Sequence, residues 1–355
     1  MTFPNTRLKT AALSLALTMG SATALLAQDT APEMAKPTAP MQAVLDKLQS
    51  LGAKPFSTLT VPEARGQASP ADAAKAVQWE QRVSSNPEAQ VTTKDITIPS
   101  KAGGLAARVY IPEGKGPFPV VVYYHGGGWV VADINVYDSS PRALSLGAKA
   151  IVVSIEYRHA PEHKFPAAHE DAWTAYKWVV ENIHEMNGNA DKIAVAGESA
   201  GGNLAANVAL MAKEMKVKQP LHQLLVYPVA GADMNTPSYK ENAEAKPLGK
   251  ADMEWFVKNT TSSMDEAKDP RINLNGRSDL AGVAPATVIL AQIDPLRSDG
   301  ETYAGKLKDA GVAVNMKTFD GVTHEFFGMG KVVPEAKQAE DLAVADLVAA
   351  FGKAK

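Results

Sequence analysis

The sequence predicts an α/β protein, a mostly parallel central sheet flanked by helices and covered by a helical cap. Three observations predict it. Short apolar runs alternate with stretches of helical periodicity between residues 105 and 351, the spacing of successive strand-helix units. The runs Val120-Val121-Val122 and Ile193-Ala194-Val195 are continuously hydrophobic, as strands covered on both faces must be. Gly197-Glu198-Ser199-Ala200-Gly201 joins one such run directly to a helical one, the setting of a tight strand-to-helix turn.

The 355 residues are 45% hydrophobic and 21% charged, enough for one large domain. With a net charge of -3 and no lysine- or arginine-rich run, the chain lacks the electrostatic footprint of a nucleic-acid binder. Cysteine is absent, which excludes disulfides, thiolate metal sites, a cysteine nucleophile and a lipidated cysteine anchor.

From the amino end, Arg7 and Lys9 precede an apolar stretch over residues 11–27 rich in Ala and Leu. Short and interrupted by Thr18, Gly20, Ser21 and Thr23, it reads as a secretory signal peptide (residues 1–27) and not as a membrane anchor. An exported protein, periplasmic or secreted, without stable membrane anchoring is the expectation. Residues 28–40, rich in Ala, Pro and Thr, read as a flexible linker. The remaining 41–355 form the domain.

Val44, Leu45, Leu48 and Leu51 place a helix over residues 41–52, and a second is expected near 71–83. Strands are expected at 105–111, 119–124, 150–157, 192–196, 223–227, 286–293 and 312–319, and helices near 171–186, 200–215, 299–310 and 335–351. Residues 230–280 break this rhythm, holding Trp255-Phe256-Val257 but no convincing buried strand. They read as a helical insertion which, with residues 41–90, caps the carboxyl end of the sheet, where open α/β folds bind ligands.

Two glycine-rich elements carry chemistry. A serine in G-x-S-x-G sits on a strained turn that projects Oγ into the site, so Ser199 is the candidate nucleophile. His125-Gly126-Gly127-Gly128-Trp129 follows another buried run, and its glycines let backbone amides point into a cavity. Gly126, Gly127, Gly128 and the Ala200 amide are therefore the candidate oxyanion cradle. On this scaffold the acid and then the histidine follow the serine, leaving His222 and His324. His222 precedes a strand and falls at the wrong end of the sheet, so His324 is the candidate base. Of Asp294, Asp299 and Asp320, Asp294 ends an apolar run on the loop after a strand and is the candidate acid; Asp299 suits a helix first turn and Asp320 a turn-shaping role.

His125 is expected to pin its own loop. His159, His163 and His169 have irregular spacing without cysteine or a clear carboxylate pattern, so no metal and no cofactor is expected. Trp129, Tyr123, Tyr124, Tyr137 and Phe327 suit either a substrate pocket or the core.

These elements, with Tyr157-Arg158-His159-Ala160-Pro161-Glu162-His163-Lys164-Phe165-Pro166, Asp294-Pro295-Leu296-Arg297 and Gly321-Val322-Thr323-His324, resemble the hormone-sensitive-lipase-like bacterial carboxylesterases over residues 56–351. The resemblance implies an α/β-hydrolase fold, hydrolysis of short-chain acyl esters, and Ser199, Asp294 and His324 as the triad. Ala132, Glu198 and Glu325 depart from it, where glycine, aspartate and glycine are usual. A small-molecule ester is the expected partner, and the oligomeric state stays open, a homodimer included. An amidase or peptidase with the same triad, and a non-catalytic binding homologue, are the alternatives.

Overall fold

The computed structural model describes residues 1–4, 33–84 and 90–353. Most of the expected signal peptide and the start of the linker lie outside them. The chain divides into Met1–Ala31 and Pro32–Lys355. Residues 1–4 of the first unit carry no regular structure, and all that follows concerns the second.

Its centre is an eight-stranded sheet made of β1 (Val91–Ser100), β2 (Gly103–Pro112), β3 (Phe118–Tyr124), β4 (Ile151–Ile155), β5 (Gly188–Glu198), β6 (Gln223–Val226), β7 (Ala286–Ile293) and β8 (Val314–Thr323). The order is β1-β2-β4-β3-β5-β6-β7-β8. Only β2 runs against its neighbours; from β4 to β8 every pairing is parallel. Val120, Val121, Val122, Val195 and Ile289 are fully buried between the helical layers, each contributing about 1.5–3 kcal/mol by leaving water.

The strand over 91–100 was not expected. Its first half is polar, with Thr92, Thr93, Lys94 and Asp95 all exposed, and it sits at the sheet's edge, so no continuous apolar run announces it. Among the helices, α1 (Ala39–Ser50), α2 (Val61–Gly66) and α3 (Pro70–Glu80) precede the sheet; α4 (Ser139–Ala148), α5 (Ala167–Asn182) and α6 (Ala200–Glu214) follow β3, β4 and β5. The insertion holds α7 (Pro237–Glu241) and α8 (Lys250–Thr260), and α9 (Arg297–Asp309) and α10 (Pro334–Lys353) complete the order. Sequence reading did not find α2, only six residues long, nor α4, which carries Pro141 within its first turn.

Two segments distant in the chain meet above the carboxyl ends of the strands. The Ser57 amide donates to Asp252 of α8 at 2.9 Å, and Trp255 Nε1 donates to the Leu59 carbonyl at 2.9 Å. Phe56 packs its ring on Phe256 with centroids 5.0 Å apart. Nearer the amino end, the Thr38 amide donates to the Gly321 carbonyl of β8 at 2.8 Å just before α1 begins, and Met41 is buried under the same loop against Thr323. Among the described residues no helix is long and apolar enough to cross a membrane.

Candidate active site

Beneath those segments lies a cavity of about 1090 Å³ whose floor includes Gly127, Gly128, Ser199 and His324. Leu48, Phe56, Met253 and Phe256 wall its upper part.

Ser199 stands between β5 and α6 with φ 55° and ψ -118°, a conformation L-residues rarely adopt. The small residues around it make that turn feasible. A Cβ on Gly201 would come within 2.0 Å of the Tyr124 carbonyl oxygen, so the turn can press on β3 only with glycine there. The sheet holds it from the other side, the Ser199 amide donating to the Val226 carbonyl at 2.9 Å.

His324 follows β8 and Asp294 follows β7, so the three residues come from the ends of three parallel strands. His324 Nε2 lies 2.9 Å from Ser199 Oγ, and Nδ1 lies 2.7 Å from Asp294 Oδ2. The other Asp294 oxygen accepts the Leu296 amide at 2.8 Å, fixing the carboxylate plane. All three side chains are buried. A carboxylate can only accept, so His324 carries its proton on Nδ1 and presents a lone pair to the serine hydroxyl. Burial alone would depress the histidine, but the charge and hydrogen bond of Asp294, reinforced by Glu325 and Glu198, outweigh it and hold its pKa above the ordinary 6.5.

In the glycine turn, Gly127 has φ 93° and a Cβ there would meet the Val131 carbonyl oxygen at 2.1 Å. The amides of Gly127, Gly128 and Ala200 donate to no protein group among the described residues. Free donors beside a serine are what a developing oxyanion needs. Gly127 and Gly128 line the cavity directly, whereas Gly126 and Ala200 lie just behind its surface; the Gly126 carbonyl accepts from His125 Nδ1 at 2.8 Å and from Tyr157 at 3.0 Å.

Other candidates fall elsewhere. His222 lies at the opposite end of the sheet, 2.8 Å from Thr287 Oγ1. Asp299 is buried in the first turn of α9 and accepts the Gly231 amide at 3.0 Å, while Asp320 is exposed on β8. Trp129 and Tyr137 reach the cavity; Tyr123, Tyr124 and Phe327 belong to the core.

The departures from the family pattern acquire physical content. Ala132 and Glu325 stand at φ 66° and 71°, the left-handed region where glycine costs least. Glu325 brings a carboxylate 3.7 Å from His324 Nε2, held by the Tyr137 hydroxyl at 2.6 Å. Glu198 is wholly buried behind the nucleophile, accepting from Tyr123 at 2.5 Å and from Tyr227, and burial pushes its pKa up to about 7. Sequence reading did not find the Tyr123, Tyr137 and Tyr227 contacts, because their hydroxyls come from separate elements.

The profile of a family described as having the alpha/beta hydrolase fold matches residues 121–328. Carboxylesterase NlhH of Mycobacterium tuberculosis is 42% identical over 248 residues, spanning 68% of this chain and 77% of its own. Ethyl acetate hydrolase of Pseudomonas putida is 33% identical over 249 residues, with 69% and 78% covered. Among solved structures, an esterase of Pyrobaculum calidifontis superposes with TM-score 0.76 at 35% identity over 88% of this chain and 99% of that one. A thermostable esterase from Pseudomonas putida ECU1011 gives 0.80 at 33% identity, covering 89% and 98%.

Proposed function

The chain belongs to the α/β-hydrolase fold family shared with these carboxylesterases, and from that premise and its cavity floor we propose that it is a serine carboxylesterase acting on small acyl esters. One observation carries the reading. The hydrogen-bonded series Asp294, His324, Ser199 opens onto a roofed, largely apolar cavity, beside the amides of Gly127, Gly128 and Ala200, which have no partner among the described residues.

An ester carbonyl set against Ser199 Oγ is attacked as His324 Nε2 takes the hydroxyl proton, and Asp294 stabilises the resulting imidazolium. The amides of Gly127, Gly128 and Ala200 receive the negative carbonyl oxygen, each such donor typically contributing about 3 kcal/mol to the transition state. His324 then returns the proton to the departing alkoxide, releasing the alcohol. Water repeats the sequence on the acyl-enzyme, liberating the acid and restoring the serine. Apolar walls and burial of the triad favour esters of small neutral acids.

The protein is exported and works in the periplasm or medium, as supported by Arg7 and Lys9 ahead of the apolar stretch over residues 11–27 and by the absence of cysteine. Amino-terminal sequencing of protein recovered from an expressing cell's periplasm and medium tests that part. For the chemistry, a fluorophosphonate should label wild type and not Ser199→Ala, and the variant should lose turnover of p-nitrophenyl acetate. A Ser199→Ala protein that kept near-normal turnover would refute the assignment.

A further inference from the structure

β3 and β4 are parallel neighbours with Tyr124 opposite Ile155, so the next residue of each, His125 and Glu156, emerge side by side. His159 folds back over them, its ring edge-on to His125 with centroids 5.5 Å apart. Glu156 Oε1 lies 3.9 Å from Nε2 of His125 and 3.6 Å from Nε2 of His159, and one such atom from each residue lies within 4.8 Å of the others. None of these spacings is a hydrogen bond. Both imidazole nitrogens are buried and lack a partner among the described residues.

The surroundings fix the tautomer of His125 and the orientation of Glu156. His125, wholly buried, faces the Gly126 carbonyl with Nδ1 at 2.8 Å; a carbonyl only accepts, so the proton is on Nδ1 and Nε2 offers a lone pair. Glu156 uses Oε2 to accept the Ile134 amide at 3.0 Å, which leaves Oε1 to face inward. A lone pair and a carboxylate oxygen therefore face each other 3.9 Å apart. The Arg65 guanidinium, whose charge acts on His159, is committed to Glu162 at 2.8 and 2.7 Å.

We propose that His125 Nε2, Glu156 Oε1 and His159 Nε2 bind one divalent transition-metal ion of the zinc type. Two imidazoles and a carboxylate are a characteristic zinc donor set, and the carboxylate oxygen lies 3.9 and 3.6 Å from the two ring nitrogens, with all three atoms within 4.8 Å of one another, close enough for one ion to reach them together. The Gly126 carbonyl and the Ile134 amide orient two of the ligands from behind, as the outer contacts of metal sites do. Partial exposure of Glu156 and His159 supplies an entry route and a fourth position for water. The ion ties the turn carrying Gly127 and Gly128 to the segment after β4. Its role is structural.

This differs from the sequence expectation of no metal, which considered His159 with His163 and His169. His163 is exposed, and His169 pairs with Asn203 at 2.9 Å. Glu156 is local, three residues before His159, but the third member, His125, is supplied by strand adjacency across about thirty residues of chain.

Full-length protein stripped with a chelator is titrated with zinc chloride by calorimetry and its bound metal counted by elemental mass spectrometry, beside His159→Ala and Glu156→Gln. Circular dichroism without metal verifies that both variants are folded. The expected result is one ion per wild-type chain, bound at least about 10-fold more tightly than by either variant, with a zinc-dependent rise in Tm that both variants lose. Equal binding by wild type and variants would put the ion elsewhere, and absence of stoichiometric binding would make the three atoms a water-bridged polar cluster. Either result overturns the proposal.

Discussion

Replacing Asp294 by asparagine keeps the volume of the side chain and reverses the logic of the site. The carboxylate has two tasks, accepting the Leu296 amide with Oδ1 and the His324 Nδ1 proton with Oδ2. An asparagine has one acceptor for two donors. If its oxygen stays with the Leu296 amide, its NH2 faces His324 Nδ1, which must then become the acceptor. The proton moves to Nε2, and the imidazole can no longer take one from Ser199. The opposite flip keeps the productive tautomer but sets NH2 against the buried Leu296 amide, a cost of about 1–3 kcal/mol for a donor left unpaired. That alone confines the productive form to roughly one molecule in five to one in 150. Loss of the charge that stabilises the imidazolium lowers turnover further, so kcat should fall about 10³–10⁴-fold. The assay is p-nitrophenyl acetate hydrolysis at neutral pH, with Tm measured in parallel. An Asp294→Asn protein that keeps more than about a tenth of wild-type kcat would show that this hydrogen bond does not set the tautomer.

Gly127→Ala must hold φ 93° and clear the Val131 carbonyl oxygen at 2.1 Å, so the turn shifts and its amide leaves the cavity wall; kcat should drop at least about 10²-fold, and undiminished turnover would remove this amide from the oxyanion cradle. Because Glu325 adds to the raised pKa of His324, the acid limb of kcat/KM should lie above pH 6.5 in wild type and move to lower pH in Glu325→Gln, as a full pH profile of both proteins would show. Glu198 is raised from 4.5 to about 7, so the folded state retains a proton that the unfolded chain releases; its stabilising contribution is complete below pH 4.5 and is lost as pH rises through about 7. Glu198→Gln should accordingly flatten the fall in Tm between pH 5 and about 8, and an unchanged slope would assign that fall to other groups.

Much of the site was legible because chain order and strand ends constrain it strongly. Ser199, Asp294 and His324 each follow a buried run that could be seen as a strand, and parallel strands bring such ends together. What stayed hidden depends on lateral packing. The edge strand over 91–100 earns its place by pairing along β2 and not by burying a continuous apolar run. Glu325 was visible as a departure from the family pattern, but its Tyr137 partner lies 188 residues away and only the fold reveals it. The same holds for His125 and Glu156, which local spacing separates and the β3–β4 pairing unites. The proposed triad could be read along the chain, whereas the groups packed around it could be read only across the sheet.

The bond between Thr38 and Gly321 ties the stretch ahead of α1 to the strand that carries the histidine. β8 is the outermost strand, so the imidazole hangs from an element braced by another strand on one flank only; on the other it leans on the stretch entering α1. Proteolytic trimming upstream of residue 38 should leave that brace intact, and a cut a few residues farther in should remove it and slacken the histidine.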